Sequence, residues 1–172
     1  MNLNISLIHN IMKTLYNFFL FSLASLILIS CSNNYYAEVQ SLPNEKWSIN
    51  NPLSFKINIE DSMQYFNMYF LIRNTTDFET QNFYVFMKTK YPDGIVEQDT
   101  LGFILCDKYG NWTGKGRGRL KDNKFLFQTN IRFPKNGEYV FTVTQSMRND
   151  VVEGISNFGI ILENYEPKKQ SR

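Results

Sequence analysis

Cys31 is the residue of this chain whose surroundings point most directly to a chemical modification. It follows Ser30 and a mostly apolar segment, residues 15–29, and Lys13 is the only charged residue before it. Charge, apolar segment, small residue and cysteine in this order are typical of a bacterial lipoprotein signal peptide. In such signals the thiol receives a diacylglyceryl group, and the chain is cut before the cysteine and acylated there. The pattern predicts that residues 1–30 are removed and that Cys31 anchors the remainder to a membrane.

The apolar segment fits a signal peptide better than a membrane span. A spanning helix needs about 20 mostly apolar residues, whereas a signal core needs fewer. Met12 followed by Lys13 is itself a plausible start for such a peptide, so residues 1–11 can be an upstream extension. The alternative interpretation is an ordinary buried helix that ends at a cysteine by chance.

The predicted mature chain lacks the side chain on which many enzymes depend. The one histidine of the sequence, His9, lies in the signal peptide. Ser-His-Asp and Cys-His catalysis and most transition-metal sites are therefore excluded. A pair of carboxylates could still hydrolyse glycosides, with Asp99 and Asp107 as candidates, but aspartates are common at turns for backbone reasons. We expect no catalytic residues, no metal and no cofactor, and keep a carboxylate enzyme as an alternative.

The number of cysteines and the net charge argue against a disulfide-bonded domain and against a nucleic-acid-binding protein. Cys106 is the only cysteine besides Cys31, so a disulfide within the mature domain is impossible. Its apolar neighbours predict a small buried hydrophobic residue, not a reactive thiol. The chain carries 18 Lys and Arg against 16 Asp and Glu. This near balance of positive and negative charge does not indicate binding to nucleic acid.

A glycine-rich segment carries the densest positive charge. Lys115, Arg117 and Arg119 alternate with glycines, and Trp112 opens the segment. Glycine lets a backbone approach another surface closely while long basic side chains reach outward. These four residues are the candidate partner-binding loop, facing an acidic partner, a lipid headgroup or an anionic polysaccharide. The alternative is a solvated loop and edge strand that charge protects from aggregation.

Two short triplets resemble the O-glycosylation site of bacterial envelope proteins. They are Asp61-Ser62-Met63 and Asp99-Thr100-Leu101. Ser62 and Thr100 are therefore candidate modification sites. Aspartate followed by a hydroxyl residue is also common in ordinary turns.

The elements that must position these residues are strands. Apolar and polar residues alternate with period two from Leu53 onward, and turns with Pro and Gly separate the runs. We predict an all-β fold, an antiparallel β-sandwich of about seven to eight strands. The predicted strands are residues 53–59, 65–73, 83–91, 100–105, 124–133, 138–145 and 155–163. Residues 31–47 are predicted to be a lipidated tether, 48–166 the domain, 146–154 an irregular connection within it, and 167–172 a disordered tail.

Several motifs in one order resemble the GldH family of gliding-motility lipoproteins over nearly the whole mature chain. The motifs are Asn51-Pro52-Leu53-Ser54-Phe55 after Trp47, residues 69–78 (YFLIRNTTDF), 91–94 (YPDG), 99–101 (DTL), 110–116 (GNWTGKG), 133–139 (FPKNGEY) and 145–148 (QSMR), followed by Gly154-Ile155 and Gly159.

The resemblance implies a lipid-anchored component of the gliding machinery, associated with type IX secretion, and it brings no catalytic residues. We expect a non-enzymatic scaffold or assembly factor that binds other gliding or secretion proteins. Ser32 after the cysteine is not acidic, which favours the outer membrane, and the periplasmic leaflet is preferred over the cell surface. The alternative is a polysaccharide-binding envelope lipoprotein, in which exposed aromatic residues stack on sugars.

Overall fold

The computed structural model describes residues 9, 12–16, 18 and 34–165. The chain forms two units, residues 1–33 and 34–172. In the first unit, residues 12–16 are helical. Among the described residues, no helix combines the length and the apolar character needed to cross a membrane. Cys31 and the tail of residues 167–172 lie outside the described residues, as does most of the predicted signal peptide.

The second unit consists of ten strands, and one turn of 3₁₀ helix, Pro43–Glu45, links the first two. The strands are β1 (Asn34–Ser41), β2 (Lys46–Ser48), β3 (Leu53–Ile59), β4 (Tyr65–Thr75), β5 (Asn82–Lys90), β6 (Val96–Ile104), β7 (Leu120–Arg132), β8 (Gly137–Gln145), β9 (Val151–Glu153) and β10 (Ile155–Asn164).

The strands form two four-stranded sheets and one small ribbon. One sheet has the order β1-β10-β4-β7 and the other the order β3-β8-β5-β6, while β2 pairs with β9. All of these pairings are antiparallel. The predicted all-β class and the sandwich-like arrangement of antiparallel sheets are confirmed.

Strict alternation explains why β3 forms a half-buried strand. Leu53, Phe55, Ile57 and Ile59 are buried, and the residues between them are exposed. Successive side chains of a strand point to opposite faces, so this sequence can only present one apolar face. β5 and β8 follow the same pattern. The apolar faces of the two sheets meet in a single core.

Phe158 on β10 lies at the centre of that core. Its ring contacts Trp47 of the small ribbon at a centroid distance of 5.4 Å and Phe70 of its own sheet at 5.7 Å. It also contacts two rings of the facing sheet, Phe55 at 6.2 Å and Phe103 at 6.3 Å. One side chain thus joins all three sheets.

The two sheets are aligned, so the domain has two distinct ends. The Tyr35 hydroxyl donates a hydrogen bond to the Asn58 carbonyl (2.9 Å), and the Gln40 side chain donates one to the Ser54 carbonyl (2.8 Å). The start of β1 therefore lies beside the end of β3, and the end of β1 beside its start. We call the end that contains Asn34 the proximal end and the opposite one the distal end. β1 spans about 23 Å between them, at 3.3 Å per residue.

The prediction that residues 31–47 form a tether is wrong for its larger part. Residues 34–41 form β1, which pairs with β10, and Trp47 on β2 is fully buried. The sequence of β1 is mostly polar because β1 is an edge strand in which no residue is fully buried. The chain available between Cys31 and the domain is accordingly only residues 32 and 33.

Other boundaries differ less. The structure has ten strands where about seven to eight were predicted, because β1 and the two three-residue strands β2 and β9 were missed. β9 lies inside residues 146–154, which were predicted to be irregular. β6 begins at Val96 instead of Thr100, and β7 begins at Leu120 instead of Lys124. Cys106 is half-buried instead of buried, and it is a free thiol.

Truncating Phe158 tests the central role of its ring. Phe158→Ala is expected to lower the free energy of unfolding by about 3–5 kcal/mol, because it removes a fully enclosed aromatic side chain and leaves a cavity. Urea unfolding monitored by circular dichroism measures the loss. Phe86→Ala is the matched control, since Phe86 is 37% exposed on the outer face of β5. It is expected to cost about 1 kcal/mol or less. Equal losses in the two variants would contradict the assignment.

Candidate functional site

An open cleft of about 890 Å³ lies at the distal end of the domain. The 3₁₀ turn, the chain after β4, the loop after β8 and the small ribbon form its walls. The lining residues are Asn44, Glu45, Asp77, Phe78, Glu79, Thr80, Gln81, Asn82, Tyr84, Arg119, Ser146, Met147, Arg148, Asn149, Val151, Val152, Glu153 and Gly154. Its volume falls in the range of ligand pockets, which makes it the first candidate for a binding site.

Arg119 ties two walls of this cleft together. Its Nη1 and Nη2 donate to the two carboxylate oxygens of Glu45 at 2.7 and 2.5 Å, and its Nε donates to Asp77 Oδ2 at 2.7 Å. The hydrogen bonds from Arg119 lower the pKa of Glu45, and those carboxylates raise the pKa of Arg119. Half of the Arg119 side chain is exposed. Solvent therefore screens these ion pairs, and their main effect is to position the walls.

The 3₁₀ turn needs this support because its backbone is unusual. Asn44 and Glu45 have φ values of 54° and 58°. Left-handed backbone costs free energy in residues other than glycine and persists where neighbouring contacts impose it. Besides the ion pair, the Gly154 N–H donates to the Glu45 carbonyl at 2.8 Å.

Gly154 forms the floor where the walls meet. Its φ is +88°, and a Cβ at this position would lie 2.8 Å from the backbone N and Cα of Phe78. Only glycine allows this close approach. The Thr75 N–H donates to the Gly154 carbonyl at 2.8 Å, which joins the end of β4 to the cleft.

A buried glutamine holds the loop after β8, which forms one wall of the cleft. Gln145 is completely buried at the end of β8. Its Nε2 donates to the carbonyls of Asn149 (2.9 Å) and Asp150 (3.2 Å), and its Oε1 accepts from the Met147 N–H (2.8 Å). Leaving a buried amide unpaired is costly, so the loop is held in this one arrangement. The cleft wall is thus built into the core.

The cleft surface combines apolar and charged groups. Tyr84 and Val151 are each 42% exposed, and the Tyr84 N–H lies 3.3 Å from the Met147 sulfur. Within the described part of the chain, Glu79 and Arg148 have no ion-pair partner. Exposed aromatic and arginine side chains are enriched in the strongest contacts of protein interfaces. This arrangement suits a segment of another protein.

The glycine-rich loop lies beside the cleft and is fastened by a second buried amide. Asn123 donates from its Nδ2 to Asn74 Oδ1 (2.9 Å), and its Oδ1 accepts from the Thr113 hydroxyl (3.2 Å). A Cβ on Gly114 would lie 2.8 Å from Asn123 Oδ1. The loop is therefore packed against β7 and does not extend freely into solvent.

The four residues of the predicted partner-binding loop do not act as one surface. Trp112 is half-buried against the core, and Arg119 lines the cleft with its guanidinium already paired. Lys115 and Arg117 are exposed and do not line the cleft. Lys115 exchanges two backbone hydrogen bonds with Asp122, at 2.8 and 2.7 Å.

The predicted modification and carboxylate sites lie apart from the cleft. Ser62 is in the turn between β3 and β4 at the proximal end, and Thr100 lies on the exposed edge strand β6, opposite Phe86. Asp107 accepts hydrogen bonds from the side chain of Asn111 and from two backbone N–H groups, which lower its pKa. It thus organises a turn.

A second cavity of about 340 Å³ opens between β6 and β7, and Asp99 lines it together with Glu97 and Tyr91. The Tyr91 hydroxyl donates to Glu97 at 2.6 Å, and this bond, with burial, raises the pKa of Tyr91 to about 12. Across residues 34–165 and the few described before them, no group of three or more His, Cys, Asp and Glu could hold a metal ion.

The sequence patterns did not predict the cleft, although β8 carries one signal for it. Tyr139, Phe141, Val143 and Gln145 share the inward face of β8. Gln145 is the only polar residue in that series, and a polar residue at an inward position needs partners. Those partners are backbone atoms of the loop that follows.

The Arg119 contacts give a prediction about Glu45. In Arg119→Met the pKa of the Glu45 carboxyl is expected to rise toward its usual value, because the guanidinium that stabilises the carboxylate is gone. Carbon-detected NMR titration of the side-chain carboxyl measures this. A lowered folded pKa stabilises the domain above the unfolded pKa, and the benefit is lost as pH falls through the folded pKa. The stability difference from wild type should therefore vanish in acid. Arg117→Met is the matched control, and an unchanged Glu45 pKa in Arg119→Met would refute the pairing.

Two solved structures illustrate distant likenesses in fold. A mitogen derived from Yersinia pseudotuberculosis aligns with 79% of this chain and 92% of its own at 6% identity and a TM-score of 0.34. Dimeric latent PorU from Porphyromonas gingivalis aligns with 76% of this chain and 13% of its own at 12% identity and a TM-score of 0.31. Both TM-scores are below 0.5, so neither likeness supports an inference.

Sequence comparison is more informative. A gliding motility lipoprotein GldH homolog from Christiangramia forsetii is 28% identical over an alignment of 160 residues, and the match covers 88% of this chain and 98% of that protein. The family model for the GldH lipoprotein matches residues 34–162, which is nearly the whole strand domain. The chain belongs to the GldH lipoprotein family.

Proposed function

We propose that this protein is a lipid-anchored, non-enzymatic component of the bacterial gliding-motility machinery that docks another envelope protein in its distal cleft. Membership of a lipoprotein family supports the anchor, and the Christiangramia forsetii relative is named a gliding motility lipoprotein. The observation that carries the proposal is the position of the cleft. It lies at the opposite end of the domain from Asn34, where the chain arrives from Cys31.

This geometry suits a scaffold. Acyl chains on Cys31 hold the proximal end at the membrane. The cleft then faces away from the lipid, about 23 Å along β1, where a partner can reach it. Buried Gln145 and Asn123 hold the cleft wall and the neighbouring loop in fixed positions, so a partner meets a preformed surface. Preformed surfaces bind with a smaller entropy cost.

The non-enzymatic role rests on the inventory of side chains. Residues 31–172 contain no histidine. Of the two carboxylates considered for catalysis, Asp107 already accepts three hydrogen bonds in its own turn and Asp99 lies in a separate, smaller cavity. Neither lies in the distal cleft.

We also propose where in the cell envelope the protein lies and which secretion pathway it serves. Ser32 after Cys31 is not acidic, which favours the outer membrane, and the periplasmic leaflet is preferred. The association with type IX secretion comes from the family resemblance alone. Ser62 and Thr100 remain candidate O-glycosylation sites. The polysaccharide-binding alternative is weakened because Trp112, its main stacking residue, packs against the core.

Lipidation of Cys31 has a direct test with a matched control. In cells of the source bacterium fed radiolabelled palmitate, the wild-type protein and Cys106→Ala are expected to carry label, whereas Cys31→Ala is not. Mass spectrometry of the purified wild-type protein should find an amino terminus at Cys31 that bears acyl chains. An unlabelled wild-type protein, or label that disappears with Cys106→Ala, would rule out this site.

The cleft is tested by gliding itself. Complementation of a strain that lacks the protein with Arg148→Glu or Tyr84→Ala is expected to reduce colony spreading and cell movement on glass, because each alters an exposed cleft residue. Lys56→Glu is the control, since Lys56 is exposed on the outer face of β3, away from the cleft. Immunoblots must show equal amounts of each variant in membranes. Normal gliding with both cleft variants would exclude the cleft as the docking site.

A further inference from the structure

The proximal end of the domain must lie close to lipid if Cys31 is acylated as proposed. Asn34 is the third residue after Cys31. Three residues of chain reach at most about 11 Å in any conformation. Because β1 begins at Asn34 and pairs with β10, the folded body starts there. No long linker lifts it from the surface, so the chemistry of this end matters.

The loops at this end expose apolar side chains. Met63, in the turn between β3 and β4, is 65% exposed, and Ile95 and Val96, at the start of β6, are 57% and 58% exposed. Single exposed apolar residues are ordinary on protein surfaces. These three differ because they lie in or directly beside adjacent loops on the one end that the anchor holds at the membrane.

Hydrogen bonds fix these loops beside one another. The Ser62 N–H donates to Asn136 Oδ1 at 2.7 Å, which joins the β3–β4 turn to the β7–β8 turn. Lys135 Nζ in that same turn donates to Asp93 Oδ2 at 2.5 Å, which joins it to the β5–β6 turn. Met63 and Ile95 therefore project from loops held on either side of a common turn.

An arginine accompanies the apolar side chains. The Nη1 of Arg132 lies 3.8 Å from the sulfur of Met63, and its guanidinium lies 6.0 Å from the centre of the Tyr65 ring. Tyr65 is 43% exposed. Tyrosine and arginine with apolar stems and polar tips are the residues that favour the boundary between lipid and water.

The charge near this end is mixed. Asp93 is neutralised by Lys135, whose hydrogen bond lowers the pKa of Asp93. Exposed Glu60, Asp61 and Glu138 oppose binding to anionic lipid, whereas exposed Arg132 favours it. The chain leaves the domain at Tyr165, whose N–H donates to the Tyr65 carbonyl at 2.9 Å.

We propose that the proximal end is a membrane-contact surface, in which Met63, Ile95 and Val96 enter the headgroup layer of the bilayer that holds the acyl chains of Cys31. The inference rests on the lipidation proposed above. Its consequence is a defined orientation, with the strands steep to the membrane and the distal cleft turned away from it.

Site-specific fluorescence on the full lipidated protein tests the orientation. A Cys106→Ser background leaves no free thiol once Cys31 is acylated. Met63→Cys, Ile95→Cys and Tyr109→Cys then each accept one environment-sensitive dye. Tyr109 is 77% exposed in the turn beyond the end of β6, at the distal end. The labelled proteins are reconstituted into vesicles of phosphatidylethanolamine and phosphatidylglycerol that carry a headgroup-attached quencher.

Dyes at positions 63 and 95 are expected to emit at shorter wavelength in vesicles than in detergent and to be quenched several-fold more than the dye at 109. Protein that is retained on vesicles but quenched equally at the three positions would overturn the membrane-contact surface while leaving lipidation intact. Protein that is not retained, and whose mass lacks acyl chains, would overturn lipidation and this inference together.

Discussion

The ring of Phe158 has to be enclosed by three sheets at once, and most of the architecture follows from this requirement. Trp47 from the small ribbon and Phe55 and Phe103 from the facing sheet all contact it. Aromatic rings at these separations gain from edge-to-face and tilted geometry beyond the area they bury. Enclosure of this ring holds the small ribbon against the distal end of the sandwich, where the ribbon forms one wall of the cleft.

Because the two sheets are aligned, the two ends of the domain carry different sets of loops. Every connection between strands must lie at one end or the other, so each end collects loops that are distant in sequence. At the distal end, the buried Gln145 amide binds the backbone of the loop after β8, the buried Asn123 amide accepts from the Thr113 hydroxyl of the glycine-rich loop, and Arg119 bridges two segments. Polar groups that are satisfied inside a core specify one arrangement. At the proximal end the loops expose apolar tips instead, beside the point where the chain arrives from Cys31.

The strands that could be predicted from the sequence are those whose side chains alternate because one face is buried. β3, β5 and β8 are clear examples, and their positions were predicted to within one residue at each end. β1 was not predicted because an edge strand is only partly covered. Glu38 and Gln40 can therefore occupy its inward positions, where their side chains form a hydrogen bond with each other. β2 and β9 are three residues long, too short for any periodicity to show.

The cleft could not be predicted because its geometry depends on contacts between residues far apart in the sequence. Arg119 was recognised as basic and set among glycines, but its partners Glu45 and Asp77 are 74 and 42 residues away. Nothing local distinguishes it from Arg117, which has no ion-pair partner among the described residues. The local alternation of apolar and polar residues determines which face of a strand is buried. The order of the strands in the sheets determines which loops come into contact.

The antiparallel pairing of β1 with β10 has a mechanical consequence. A load applied between Cys31 and the far end of the body pulls β1 lengthwise past its neighbour. Its rungs, from Asn34 opposite Glu163 to Ser41 opposite Asn157, are then strained together. Peeling would break them one after another, but shear requires all of them to yield at nearly the same moment. The attachment point therefore places traction along the direction in which this edge of the sheet resists it most strongly.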